Sequence, residues 1–288
     1  MMNASVMPRS ASRPARSDTS ADAGVPAIEV RELTKVYPAR DGSPAVTALD
    51  RIDLVQNEGE FIAVMGPSGC GKTTLLNIVA GFERPDSGLC KVSGKTVTRA
   101  GPDRGVVFQE YGLFPWMTVE RNITFALKAA GQWDSSGEAR ARDILARMGL
   151  TNFMKAWPKN LSGGMRQRVA IARILAINSP VMLMDEPFGA LDALTRNVLQ
   201  RELMELWTET HKTILFITHS AEEAIYLADR VLVMTPRPGR VVLDLKIDLD
   251  RPRDPTEARF NQYKRDILDV INPALRQDSD TFSLRSIS

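Results

Sequence analysis

The sequence predicts an α/β fold built on a mostly parallel sheet, with an α-helical subdomain inserted into it. Short apolar runs at Phe61–Met65, 181–184, Thr213–Thr218 and Arg230–Met234 alternate with stretches of helical pattern. That alternation lays parallel strands side by side with helices on their faces. A glycine-rich turn over 66–71 joins the first of these strands directly to a helix. From about 113 to 176 the alternation stops and only helical spacing remains, which marks an insertion.

Each element has a local cause. Residues 27–36 and Phe61–Met65 read as strands around a polar, glycine-containing stretch. Lys72–Ala80 reads as a short helix that Gly81 ends in a left-handed cap. Residues 106–108 form a further short strand. Helices are expected over 118–130 and 138–148, with Val119, Ile123 and Leu127, then Ala141, Ile144, Leu145 and Met148, each set on one face. Ser162 opens a helix reaching about 176, Pro180 stops it, and 181–184 is a buried strand. A helix over 192–210 precedes the Thr213–Thr218 strand. Ser220 and Glu223 have the spacing of a capping box, so a helix starts just after His219, and Arg230–Met234 follows as a strand.

Composition narrows the function. Hydrophobic residues at 43% and charged residues at 25% are the balance of a folded globular chain. A formal net charge of +2 gives no electrostatic reason to expect a nucleic-acid partner, and none is expected. No apolar run approaches the roughly 18 to 20 residues of a membrane-spanning helix. Work at a membrane would need spans from another chain. Cys70 and Cys90, with His211 and His219, lack metal-ligand spacing and suit a reducing cytosol. Residues 1–26, dominated by Ser, Ala, Pro and Arg, are expected to be a disordered N-terminal tail.

The chemistry is concentrated in two segments. Gly66, Pro67, Ser68, Gly69, Cys70, Gly71, Lys72 and Thr73 match the phosphate-loop pattern between a strand and a helix, with Thr74 next in the run. Glycines let consecutive backbone N–H groups turn toward phosphate oxygens, and the helix start adds its positive end. Lys72 brings a mobile charge to the β- and γ-phosphates, and the Thr73 hydroxyl is a ligand for Mg²⁺. In the second segment, the 181–184 strand ends in Asp185 and Glu186. Two acids at a strand end are common, but beside a phosphate loop Asp185 becomes the natural Mg²⁺ ligand and Glu186 can polarise a water. Cys70, next to a helix start and Lys72, is expected to favour its thiolate.

Leu161-Ser162-Gly163-Gly164-Met165-Arg166-Gln167 then resembles the LSGGQ signature of ABC transporter nucleotide-binding subunits, with Met165 where glutamine is commonest. The resemblance spans about 27–245, the expected ATPase domain, leaving 246–288 as a C-terminal tail. It implies a P-loop NTPase (RecA-like) core using ATP and Mg²⁺. It also implies adenine stacking by Tyr37, a Q-loop glutamine at Gln109 sensing Mg²⁺ and the membrane subunit, a D-loop at Asp192 and a switch histidine at His219. Ser162 as an N-cap before Gly163 and Gly164 makes a second anion-binding helix start, in a different subdomain from the first. Two chains head to tail resolve this, each signature closing on the other's γ-phosphate. The implied partners are a second copy, integral membrane permease subunits and, indirectly, a substrate-binding protein, at the cytoplasmic face of the inner membrane. Segments 113–119, 235–240 and 251–255 resemble the nitrate, sulfonate and taurine importer branch. The alternative is an ABC-type ATPase of DNA repair or translation.

Overall fold

The structure, a computed structural model, describes residues 24–39 and 44–283. The tail expected over 1–26 falls almost wholly outside them. The elements run β1 (Ile28–Tyr37), β2 (Val46–Gln56), β3 (Phe61–Met65), α1 (Lys72–Ala80), β4 (Ser87–Val92), β5 (Lys95–Thr96) and β6 (Arg104–Val107). Then come α2 (Val119–Ala129), α3 (Ser135–Arg147), α4 (Gly163–Ala176), β7 (Val181–Asp185), α5 (Ala193–Thr210) and β8 (Thr213–Thr218). The chain continues through α6 (Ala221–Leu227), β9 (Arg230–Met234), β10 (Val241–Lys246) and α7 (Ala258–Ser283).

Six strands form the central sheet in the order β10-β9-β3-β8-β7-β6. Its inner pairs are parallel and β10 closes one edge antiparallel. Alternation along β3 divides the core. Phe61, Ala63 and Met65 pack on one side, and Ile62 and Val64 on the other. Both faces are covered, so all five residues are buried and the strand reads as a continuous apolar run. The helices α2, α3 and α4 pack together, α4 against both others.

A second sheet, β2-β1-β4-β5, is antiparallel and was not expected. Residues 46–56 read as polar chain, yet they form an 11-residue strand burying Ala48, Leu49, Ile52 and Leu54. Register shifts between β1 and β2 interrupt the two-residue period, which hid the strand from pattern reading. The residues after β10 also pack on the core. Ile247, Phe260 and Ile267 are buried, and Arg253 donates to the carbonyls of Ile225 and Ala228 at 2.5 and 2.6 Å.

Candidate functional site

The phosphate loop leaves the end of β3 and enters α1. Gly71 has φ 98°, and a Cβ there would stand 2.7 Å from Ala48 O and from Leu49 Cδ2. The β2 strand therefore backs directly onto the loop, and only glycine fits. No side chain caps α1, so its first N–H groups are open to an anion. Lys72 Nζ folds across the loop and donates to Gly66 O at 2.8 Å and Pro67 O at 3.0 Å.

The acids at the end of β7 face this loop. Thr73 Oγ1 donates to Asp185 Oδ1 at 3.3 Å, with β8 lying between β3 and β7 in the sheet order. Burial raises the Asp185 pKa; the Thr73 hydroxyl opposes this and the Glu186 charge adds to it. A desolvated carboxylate beside a hydroxyl fits a hard divalent cation. No cluster of three acidic, His or Cys ligands occurs among the described residues. Glu186 takes a left-handed backbone, φ 43°, and donates its N–H to Ile217 O at 3.0 Å. That kink turns its carboxylate toward β8, where Oε2 lies 3.2 Å from His219 Nδ1.

Tyr37, Ser68, Gly69, Lys72, Gln109 and Glu186 are among the residues lining one cleft of about 580 Å³. Tyr37 donates its hydroxyl to Glu83 Oε2 at 2.7 Å and lies 3.2 Å from Thr74 Oγ1. The Thr74 hydroxyl is thus engaged with Tyr37, holding that ring at the cleft's rim. Burial raises the phenol pKa, with the Glu83 charge adding to it. Arg237 lines the same cleft and donates Nε to Gly69 O at 3.1 Å. Sequence pattern did not single it out as a site residue, since 168 positions separate it from Gly69.

The signature lies elsewhere. Ser162 Oγ accepts from Met165 N at 3.3 Å and caps α4, as its position requires. Gly163 is partly exposed, and Gly164 is buried against α5, where a Cβ would stand 2.6 Å from Thr195 Cγ2. Asp192 caps α5 by accepting from Thr195 N at 3.0 Å, and those backbone donors lower its pKa. None of these four residues lines the nucleotide cleft. Tyr37, the loop, Gln109, Asp185, Glu186 and His219 are brought together; Ser162, Gly163, Gly164 and Asp192 are not.

The expected reactive thiolate at Cys70 is corrected. The side chain is fully buried, and burial outweighs the Lys72 ammonium 3.9 Å away, so the thiol pKa rises. Only its backbone is available to a phosphate. Burial pushes Cys90 up to about 11. Neither cysteine is expected to react with a maleimide in the native protein near pH 7, while both react in denaturant. Peptide mass analysis showing fast native labelling of Cys70 would contradict this.

The ABC transporter family model matches residues 49–189. An uncharacterized ABC transporter ATP-binding protein of Methanocaldococcus jannaschii is 50% identical over 244 residues, 85% of this chain and 91% of that protein. The chain belongs to the ABC transporter ATP-binding family. It is accordingly an ABC ATPase that binds and hydrolyses ATP. The bicarbonate transport ATP-binding protein CmpD of Synechocystis sp. is 45% identical over 251 residues, 84% of this chain and 88% of that one. The nitrate import ATP-binding protein NrtD of the same organism is 45% identical over 239 residues, 83% and 89% of the two chains. Among solved structures, a dimeric ATP-binding cassette in a post-hydrolysis state with ADP and Pi matches with TM-score 0.68 at 32% identity. It covers 77% of this chain and 100% of its own.

Proposed function

We propose that this ABC ATPase works as a pair, docked on permease subunits at the cytoplasmic face of a membrane, and powers import of a small anion such as nitrate, bicarbonate or a sulfonate. The observation that carries the paired reading is the division of the site: a nucleotide cleft in the core, and a capped anion-binding helix start at Ser162 that does not line it. A second copy brings its Ser162, Gly163 and Gly164 over the γ-phosphate held by Lys72 and the loop. The bicarbonate and nitrate proteins at 45% identity favour an importer over a DNA-repair or translation ATPase.

Chemically, Glu186 accepts a proton from a water whose oxygen bonds to the γ-phosphorus. The bond from that phosphorus to the bridging oxygen breaks, and ADP leaves with the electron pair. His219 orients the Glu186 carboxylate from 3.2 Å and reaches toward the γ-phosphate. Thr73 and Asp185 would hold Mg²⁺, with Gln109 lining the same cleft, and a bound ion would supply neutralisation of phosphate charge. Tyr37 offers its ring to the adenine.

Next to Gln109 lies an exposed aromatic surface that suits a permease helix. Phe82 stacks on Phe108 at 5.9 Å, and Phe114 contacts Trp116 and Phe125 at 5.6 and 4.8 Å. Trp116 is 65% exposed, far beyond what packing within this chain requires. No helix among the described residues is long and apolar enough to cross a membrane. Isolation from native membranes should bring integral membrane subunits with the protein. Ribosomes or DNA in their place would overturn the transport reading. Pairing has its own test. Lys72→Ala and Ser162→Arg subunits, each inactive alone, should recover partial activity when mixed, because one composite site of the heterodimer carries neither change. A strictly monomeric protein with full turnover would rule pairing out.

A further inference from the structure

Arg173 lies in the last turn of α4 and is only 7% exposed. Among the described residues it pairs with no carboxylate, and burial alone lowers its pKa. A buried cation without a counter-ion persists only where its donors are satisfied. Here Nη1 donates to Gly112 O at 2.6 Å and Nη2 to Tyr111 O at 3.3 Å.

The two acceptors belong to an unusual turn. Tyr111 has φ 65° and Gly112 φ 57°, two successive left-handed residues. A tyrosine is strained in that region and stays there only when its surroundings hold it. The turn begins two residues after Gln109, which lines the nucleotide cleft. A second contact from α4 falls on the same tyrosine: the Arg166 guanidinium stands 5.3 Å from its ring centroid. The ring also reaches the signature, since a Cβ on Gly163 would lie 3.3 Å from Tyr111 Oη.

We infer that Arg173 is a positioning residue that clamps the Tyr111–Gly112 turn onto α4, so that Gln109 in the cleft and Ser162 at the head of α4 move as one body. The planar fork is what allows two consecutive carbonyls to be held at once; an ammonium presents its donors from one point. A change at the γ-phosphate felt by Gln109 therefore shifts the signature offered to the second copy, and the reverse. The inference rests on the proposed roles of Gln109 and Ser162.

The test compares Arg173→Lys, Gly112→Ala and Gln109→Ala in the full chain. Measurements are MgATP binding stoichiometry and Kd, kcat, thermal unfolding, and hydrogen exchange with and without MgATP. Arg173→Lys should bind MgATP at wild-type stoichiometry and within about twofold of the wild-type Kd, while kcat falls roughly 10- to 100-fold. Gly112→Ala distorts the same turn from the other side, because its Cβ would stand 2.8 Å from Phe108 Cδ2. It should show the same split, and the double variant should be little worse than either single one. In the wild type, MgATP should protect residues 108–112 and 162–166 together; in Arg173→Lys only the first segment should respond. If either variant loses activity only in proportion to bound nucleotide or folded fraction, with joint protection intact, the clamp is refuted. Should Arg173→Lys fail to fold, Gly112→Ala and the exchange pattern decide alone. Wild-type turnover in Gln109→Ala would count against the glutamine's role, whereas slow Gln109→Ala beside fast Arg173→Lys would count against the clamp.

Discussion

Glu186→Gln is expected to bind ATP normally and to hydrolyse it roughly 10²- to 10⁴-fold more slowly, the range lost with a general base. The amide keeps the shape of the carboxylate but is a poor proton acceptor. The backbone that aims it, with its left-handed φ of 43° and its N–H on Ile217 O, does not depend on the side-chain charge. The residues proposed to bind the nucleotide, Lys72, Thr73 and Tyr37, are untouched. ATP should then accumulate in the closed pair, visible as a stable dimer on gel filtration with unhydrolysed nucleotide bound. Single-turnover kinetics measure the slow step directly. Wild-type turnover in this variant would move the base elsewhere, and His219, 3.2 Å from Glu186, would be the first candidate.

Lys72→Ala should act earlier, on the ATP complex itself. Lys72 is 6% exposed and its ammonium bonds two loop carbonyls, so the charge is already held against the loop. Preplaced charge facing a developing oxyanion is worth on the order of 10²- to 10³-fold in rate, and turnover should fall at least that far. Triphosphate affinity should drop as well, unlike in Glu186→Gln. The variant also leaves Gly66 O without the Lys72 donor, while Pro67 O keeps the Cys70 N–H at 3.3 Å, at a cost of about 1–3 kcal/mol if water does not replace the ammonium. Thermal unfolding without nucleotide should register that loss while circular dichroism stays native. Retained turnover in a folded Lys72→Ala protein would remove the lysine from the chemistry.

What could be read in the chain and what could not divide along physical lines. The phosphate loop was legible because its parts are contiguous: a strand, a glycine turn, a lysine and a helix start follow one another over residues 61–74. Helix caps were legible for the same reason. That holds for Ser162 and Ser220, each of which accepts from an N–H three residues on; Thr118 and Asp192, read as the first residues of their helices, cap them in the same way, and α3 starts at Ser135 under an Asp134 cap rather than at the expected 138. The capping box at Ser220 shows where this locality ends. Ser220 Oγ does accept from Glu223 N at 3.3 Å, but the Glu223 carboxylate turns away. It accepts from Thr218 Oγ1 at 2.6 Å and Gln200 Nε2 at 3.1 Å, tying the strand before His219 to α5.

By itself the sequence determined the α/β class, the inserted helices and the pattern of the phosphate loop, which follow from short-range hydrogen bonding and the periods of helix and strand; the family came from the resemblance of 161–167 to a known signature. Only the tertiary structure decided that 46–56 pairs with β1 as a strand and closes behind Gly71. It alone placed Arg237 on Gly69 and Arg173 on the turn after Gln109. It also reversed the expectation for Cys70. A helix start and a lysine are visible in the chain, but the desolvation that outweighs them comes from atoms packed in from distant segments. Sheet pairing, buried charge and loss of solvent depend on residues that meet only after folding, and no local pattern encodes them.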